Sequence, residues 1–135
     1  MILLPHVFAQ SQYDVTIKYS AHAVTGIGDF NTAPPGQQYL ILSLQITNNN
    51  YTEVKGGFYV NPEAFYVIVS QVQYSIDDST FALEHPLPEA TVLPGGTITG
   101  QISFLVPGSN YGIVPKFQPT YQFDDTTPNI NCVQT

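Results

Sequence analysis

Apolar and polar side chains alternate with a period of two along most of this chain, and no window sustains apolar spacing at three and four residues. Such alternation builds strands with one face in a core, and without the longer spacing an amphipathic helix has no stripe to bury. The stretch TVLPGGTITGQISFLVPG, residues 91–108, shows the pattern best. Ile98, Gly100, Ile102, Phe104 and Val106 share one face, while Thr97, Thr99, Gln101 and Ser103 share the other. Pro94-Gly95-Gly96 closes the segment on one side and Pro107-Gly108 on the other. Proline cannot donate to a ladder, so these stops fix register, and a slip of one residue would exchange core and solvent faces.

The same reading extends along the chain. YDVTIKYS, 13–20, places Val15, Ile17 and Tyr19 on one face. QQYLILSLQITN, 37–48, places Leu40, Leu42, Leu44 and Ile46 together; its other face starts apolar at Tyr39 and Ile41 and turns polar at Ser43, Gln45 and Thr47. Two or three short strands are predicted around Pro62 in 58–76, where Phe65, Val67 and Val69 oppose Tyr66 and Ile68. DDSTFALEHPLPEA, 77–90, reads as an irregular connection crossing between sheets, and YGIVPKFQPTYQF, 111–123, supplies a last strand or two. Seven to eight short strands with turns between them predict an all-β fold, an immunoglobulin-like antiparallel β-sandwich spanning 13–123. There is no Trp and a single Cys, so hydrophobic packing holds the sheets together without a disulfide between them. An apolar segment, 1–12, precedes the sandwich, and a polar tail, 124–135, follows it.

Composition narrows the partners. Charged residues are 10% of the chain, against ~25% in typical globular proteins. Lys18, Lys55 and Lys116 face ten carboxylates, and the formal net charge is −7. Phosphate neutralisation needs clustered cations, so nucleic acid and an anionic lipid surface are poor partners. No run approaches the ~20 apolar residues of a membrane span. The start, MILLPHVFAQSQ, has no basic n-region, yet Val7-Phe8-Ala9 before Gln10-Ser11 matches the aliphatic-x-small pattern of signal cleavage. It reads as a signal-peptide remnant, a first strand, or an arm that docks on a partner.

Groups capable of chemistry are sparse. A copper site of the cupredoxin kind needs a His soon after its Cys, and only Val133, Gln134 and Thr135 follow Cys132. His6, His22 and His85 are scattered, which disfavours zinc. Asp77, Asp78 and Glu84, with Glu89 and the Asp124-Asp125 pair, are the carboxylates from which a calcium site would be drawn, although no EF-hand spacing is present. No Gly-x-Ser-x-Gly elbow occurs. The expectation is a protein that is not an enzyme and needs no cofactor. Asn50-Tyr51-Thr52 makes Asn50 a glycosylation candidate on a predicted turn.

The runs GQQYLILSLQITNNN, VNPEAFYVI, VLPGGTITGQISFLVP and IVPKFQP, in that order, resemble the DUF4352 family of immunoglobulin-like extracellular domains across most of 13–119. The resemblance implies a secreted or lipid-anchored protein with no shared catalytic residues, although the lipobox Cys of many members is missing here. A secreted or cell-surface module for protein or glycan interaction is therefore expected. Its candidate contacts are Tyr59, Phe65, Tyr66 and Tyr74, since tyrosine offers contact area and a hydrogen-bonding tip at low entropic cost. The alternative is a homo-oligomer, a filament or shell subunit that adds the apolar arm of Ile2, Leu3, Leu4, Val7 and Phe8 to an open sheet edge of its neighbour.

Overall fold

The structure, a computed structural model, describes residues 14–49, 57–108, 112–122 and 129–135. The arm at 1–12 and Asn50 lie outside the described residues. In chain order the strands are β1 (Val15–Val24), β2 (Gly26–Ile27), β3 (Asn31–Thr32), β4 (Gln37–Asn48), β5 (Phe58–Val60), β6 (Phe65–Val69), β7 (Val72–Ser75), β8 (Ala90–Val92), β9 (Thr97–Pro107), β10 (Gln118–Tyr121), β11 (Ile130–Asn131) and β12 (Val133–Gln134). One four-stranded sheet runs β12-β1-β4-β9, a second β11-β10-β6-β7, and β2-β3 and β5-β8 form two-stranded ribbons. All paired strands are antiparallel except β1 and β12. This is an antiparallel β-sandwich, as the alternation predicts.

One core joins the two layers. Ile17, Leu40, Leu42, Ile46, Ile102, Phe104 and Val106 from the first sheet meet Phe65, Val67, Val69 and Tyr121 from the second, with Phe58, Val60 and Val92 from the β5-β8 ribbon. The predicted inward faces of β4 and β9 are thus the ones buried. The apolar beginning of the opposite β4 face has its own cover: Tyr39 and Ile41 pack with Ile27 of β2, and with Val24, Ala33, Leu83 and Leu105 around them.

Two loop devices hold the frame. Asn48, at the end of β4, is fully buried. Its backbone N–H donates to Gly96 O at 3.0 Å and its carbonyl accepts from Gly95 N at 2.8 Å, while Nδ2 donates to Val92 O at 2.9 Å. The Pro-Gly-Gly turn is therefore clamped on three sides of one side chain and backbone. Gly95 has φ +82°, a left-handed conformation that favours glycine.

The second device covers an edge. In the sheet order β9 is an outer strand, whose unpaired polar groups invite association with another chain. The crossover before β8 supplies the missing partner. Asp77 N donates to Ser103 O at 2.8 Å, Gln101 N to His85 O at 2.8 Å, and Leu87 N to Gln101 O at 2.9 Å. The Thr80 hydroxyl accepts from Ser103 N at 2.9 Å and donates to Ser103 O at 3.3 Å, acting as a strand would.

The last residues depart from the expected polar tail. β11 pairs with β10 in one sheet and β12 with β1 in the other, so the segment stitches both layers. Ile130 and Cys132 share a parity and pack against the core, an alternation too short to stand out in the sequence.

The β6-β7 hairpin turns through Ser70 (φ 50°) and Gln71 (φ 68°), a left-handed pair that non-glycine residues adopt at a cost. Replacing the pair with Asn-Gly is expected to raise stability by about 1 kcal/mol, after allowing for the added freedom of glycine in the unfolded chain. Urea titration would show a higher midpoint at unchanged slope; a lower midpoint contradicts the assignment of this turn.

Candidate functional site

A groove of about 390 Å³ opens where the turn after β5, the crossover and the approach to β8 come together, and Pro62, Glu63, Phe81, Pro86, Pro88 and Glu89 line it. Local sequence explains each wall. Pro62 has no N–H with which to continue β5, and Asn61 Oδ1 instead accepts from Glu63 N at 3.1 Å, capping a 3₁₀ turn over Pro62–Ala64. Glu63 consequently stands out toward solvent.

The opposite wall begins at Asp77, whose Oδ2 accepts from Ser79 N at 2.9 Å and caps a second 3₁₀ turn over Asp78–Ala82. That turn sends Ser79 and Thr80 into the interior and leaves Phe81 64% exposed. Beyond it, Leu87 is buried, while Pro86 and Pro88 flank it and keep the chain extended.

Beside this groove stands Tyr59, 52% exposed on the outer side of β5. A hydrogen bond to the Glu89 carboxylate holds the Tyr59 hydroxyl above the ordinary phenol range. Underneath, the Tyr121 hydroxyl donates to Tyr59 O at 3.2 Å and accepts from Asn61 N at 3.0 Å. Its ring meets Phe65 edge-on at 4.7 Å between centroids. Burial, partly opposed by the bond from Asn61, raises the Tyr121 hydroxyl as well. The floor is thus pinned to the core by a buried aromatic with both of its polar functions in use.

Among the aromatic contacts read from sequence, Tyr59 alone stands at the groove. Phe65 is 1% exposed and belongs to the core, which corrects its assignment as a contact: alternation placed Phe65, Val67 and Val69 on one face without saying which face is inner. Tyr74 is half-buried against that core. Tyr66 is half-buried on β6, opposite Thr120 and Ser75 and away from the groove. Phe81, and Pro86 and Pro88 that line the groove with it, were missed. The Asp-x-Ser capping pattern at 77–79 was their only signal, because the exposure of Phe81 follows from the turn that Asp77 starts.

Among the described residues the calcium candidates do not converge, and Asp124-Asp125 lie outside them. Asp77 is engaged as a cap, Asp78 is exposed, and Glu84 pairs with His85 Nε2 at 3.8 Å. No three His, Cys, Asp or Glu among the described residues are grouped to hold a metal ion. Burial pushes the Cys132 thiol up to about 12, far from the range of a reactive thiolate. Ser79 and Ser103 share a buried hydroxyl pair at 2.7 Å.

A second groove, of about 370 Å³, lies on the outer face of the β1-β4-β9 sheet. Strand register sets its floor in rows: Lys18, Gln45 and Thr99 in one, Ser20, Ser43 and Gln101 in the next. Gln101 Nε2 donates to Ser43 Oγ at 3.3 Å across the second row.

Comparison with known proteins gives a family and a fold. The model of DUF4352, a domain of unknown function, matches residues 9–127. No curated protein matches the chain. Among solved structures it is similar to YcdA of Bacillus subtilis subsp. subtilis strain 168, described as a candidate lipoprotein, with a TM-score of 0.65 and 14% identity over 91% of this chain. The chain spans 37% of that protein's length. It is also similar to MPT63, a secreted protein of Mycobacterium tuberculosis, with a TM-score of 0.58, 15% identity and coverage of 98% of this chain and 88% of the other. At these identities the likeness is one of fold. Among the described residues no helix is long and apolar enough to cross a membrane.

Proposed function

Because the chain belongs to the DUF4352 family, and its sandwich is shared with proteins described as secreted or as a candidate lipoprotein, we propose that it is a non-catalytic binding module outside the cell that captures a partner protein through the Phe81 groove. The observation that carries this reading is the pairing of an exposed aromatic ring with a proline-walled, apolar cleft that has Glu63 and Glu89 and, among the described residues, no cation in its lining. An aromatic anchor in a preformed pocket is the usual centre of a protein interface. The two carboxylates select the occupant: an extended segment with an apolar side chain next to Lys or Arg. Tyr59 offers the same segment a broad aromatic side with its tip held by Glu89.

Binding fits the chemistry better than catalysis. The buried thiol of Cys132 sits far above neutrality, and the Ser79 and Ser103 hydroxyls are bonded to each other inside the protein. It also fits better than polymerisation along β9, whose edge the crossover already occupies at Gln101 and Ser103.

Selection of displayed peptides against the immobilised protein is expected to enrich segments pairing an apolar residue with a basic one. Phe81→Asp, a surface change that leaves the core untouched, should weaken their binding roughly tenfold or more. Double reversal at Glu63→Lys and Glu89→Lys should weaken it less and remove its salt dependence. Unchanged affinity in Phe81→Asp would discard the proposal.

A further inference from the structure

Resting on the reading of the Phe81 groove given above, we propose that its occupant is a second copy of this chain, docking through residues 113–116. The groove takes an extended segment that sets an apolar side chain beside a cation, and it offers Glu63 and Glu89 to that cation. The chain itself has three lysines and no arginine. Lys55 lies outside the described residues, and Lys18 is held within β1 between the buried Ile17 and Tyr19. Lys116 is different. It is exposed, carries no ion pair among the described residues, and closely follows Ile113 and Val114, 63% and 38% exposed. The cleft beside it, shared with Val114 and Gln134, has no carboxylate side chain among the described residues, and Thr135 lines the groove on the outer face of β1, β4 and β9 instead.

The segment is already shaped for docking. It lies between β9 and β10 and belongs to no helix or strand. Pro115 disfavours the helical region for Val114, which keeps the backbone extended. Both ends are tied to the frame: Gln38 Nε2 donates to Ile113 O at 2.7 Å, and the Phe117 ring packs on Tyr19 with centroids 5.6 Å apart. Little freedom is therefore lost on binding. Val114 and Pro115 meet the Phe81 ring, as extended proline-containing segments do in aromatic-lined grooves, and Lys116 pairs with a carboxylate of the wall.

The two surfaces occupy opposite flanks of the sandwich. Residues 112–117 follow the outer side of β1 at Ala23 and Tyr19, whereas the crossover that carries Phe81 covers the far side of β9. With β4 between them and strands about 4.8 Å apart, roughly 20 Å separates the flanks. One molecule cannot fill its own groove. The contact is thus head to tail, and it propagates from copy to copy. A net charge of −7 makes the copies repel at a distance, but salt screens that repulsion beyond about 8 Å and leaves the local pairing.

The test is sedimentation equilibrium of the whole chain from about 10 μM to 1 mM, the range of a small transient contact. The average mass should rise with concentration and pass that of a dimer. Phe81→Asp, and separately Ile113→Asp combined with Lys116→Glu, should each weaken association tenfold or more. An equimolar mixture of the two variants should form a dimer and nothing larger, since one keeps its segment and the other its groove; this complementation also shows both to be folded. A plateau at the dimer mass, no complementation, or association that survives both variants and disappears on removal of residues 1–12 would each overturn the proposal. A chain that stays monomeric while the selected peptides still bind overturns this inference alone; loss of both overturns the reading of the groove as well.

Discussion

Replacing Gly100 with valine is expected to cost more than about 3 kcal/mol of folding stability and to release associating material, although the position lies in a strand, where valine is ordinarily favoured. The reason is a close approach between two backbones. A Cβ at residue 100 would fall against Leu87 Cα and 2.9 Å from Leu87 N. Backbone cannot swing aside as a long side chain can, so the crossover itself must lift. Lifting it withdraws the Leu87 side chain from the core and strains the bond from Leu87 N to Gln101 O. It also uncovers the β9 edge, which is why light scattering during refolding should rise together with the loss of stability. Alanine already carries the clashing atom, so Gly100→Ala should cost about 2 kcal/mol, and shortening Leu87 to alanine should not rescue it, because the obstacle is main chain. A Gly100→Ala protein within about 0.5 kcal/mol of the parent would show that the crossover does not lie where described.

Asn48→Ala is expected to destabilise by about 2 to 3 kcal/mol, and Asn48→Asp to do so in a pH-dependent way. Alanine removes the Nδ2 donor from Val92 O in a fully buried place and leaves both a void and a carbonyl short of its partner. The aspartate variant separates these effects. Burial raises the folded-state pKa of its carboxyl above the unfolded value of about 4. A group of raised pKa is most compatible with folding when protonated, so the variant should approach the parent below about pH 4 and lose stability as pH rises through the folded pKa. Denaturation midpoints across pH, read as differences from the parent, measure this. A difference independent of pH would mean that the side chain is not enclosed.

These two positions also show what could be read from sequence and what could not. The alternation in 97–106 identified the inner face of β9 correctly, and the proline and glycine stops marked its ends. Why residue 100 is glycine was illegible, because the answer is Leu87, which reaches it through a crossover without periodicity. Likewise Asn48 read as the polar end of a strand, whereas its role depends on a turn more than forty residues away. The candidate site divides along the same line. Tyr59 was legible from the contact chemistry of tyrosine; Phe81 was not, since its exposure arises from a capped turn inside a segment that reads as irregular and acidic. Phe65 exposes the limit of parity itself, which separates two faces without saying which of them a second sheet will cover.

The pairing of β12 with β1 has a bearing on how the molecule is made. Thr135 Oγ1 bonds to Tyr19 O at 3.1 Å across a separation of 116 residues. Synthesis proceeds from the N-terminus, so β1 exists long before the residues that complete its outer side. Until the final strand arrives, that flank stays open to any passing extended segment, and contacts of such long range are slow to form. Joining of the two layers through β11 and β12 therefore waits until more than a hundred residues after β1 have been made.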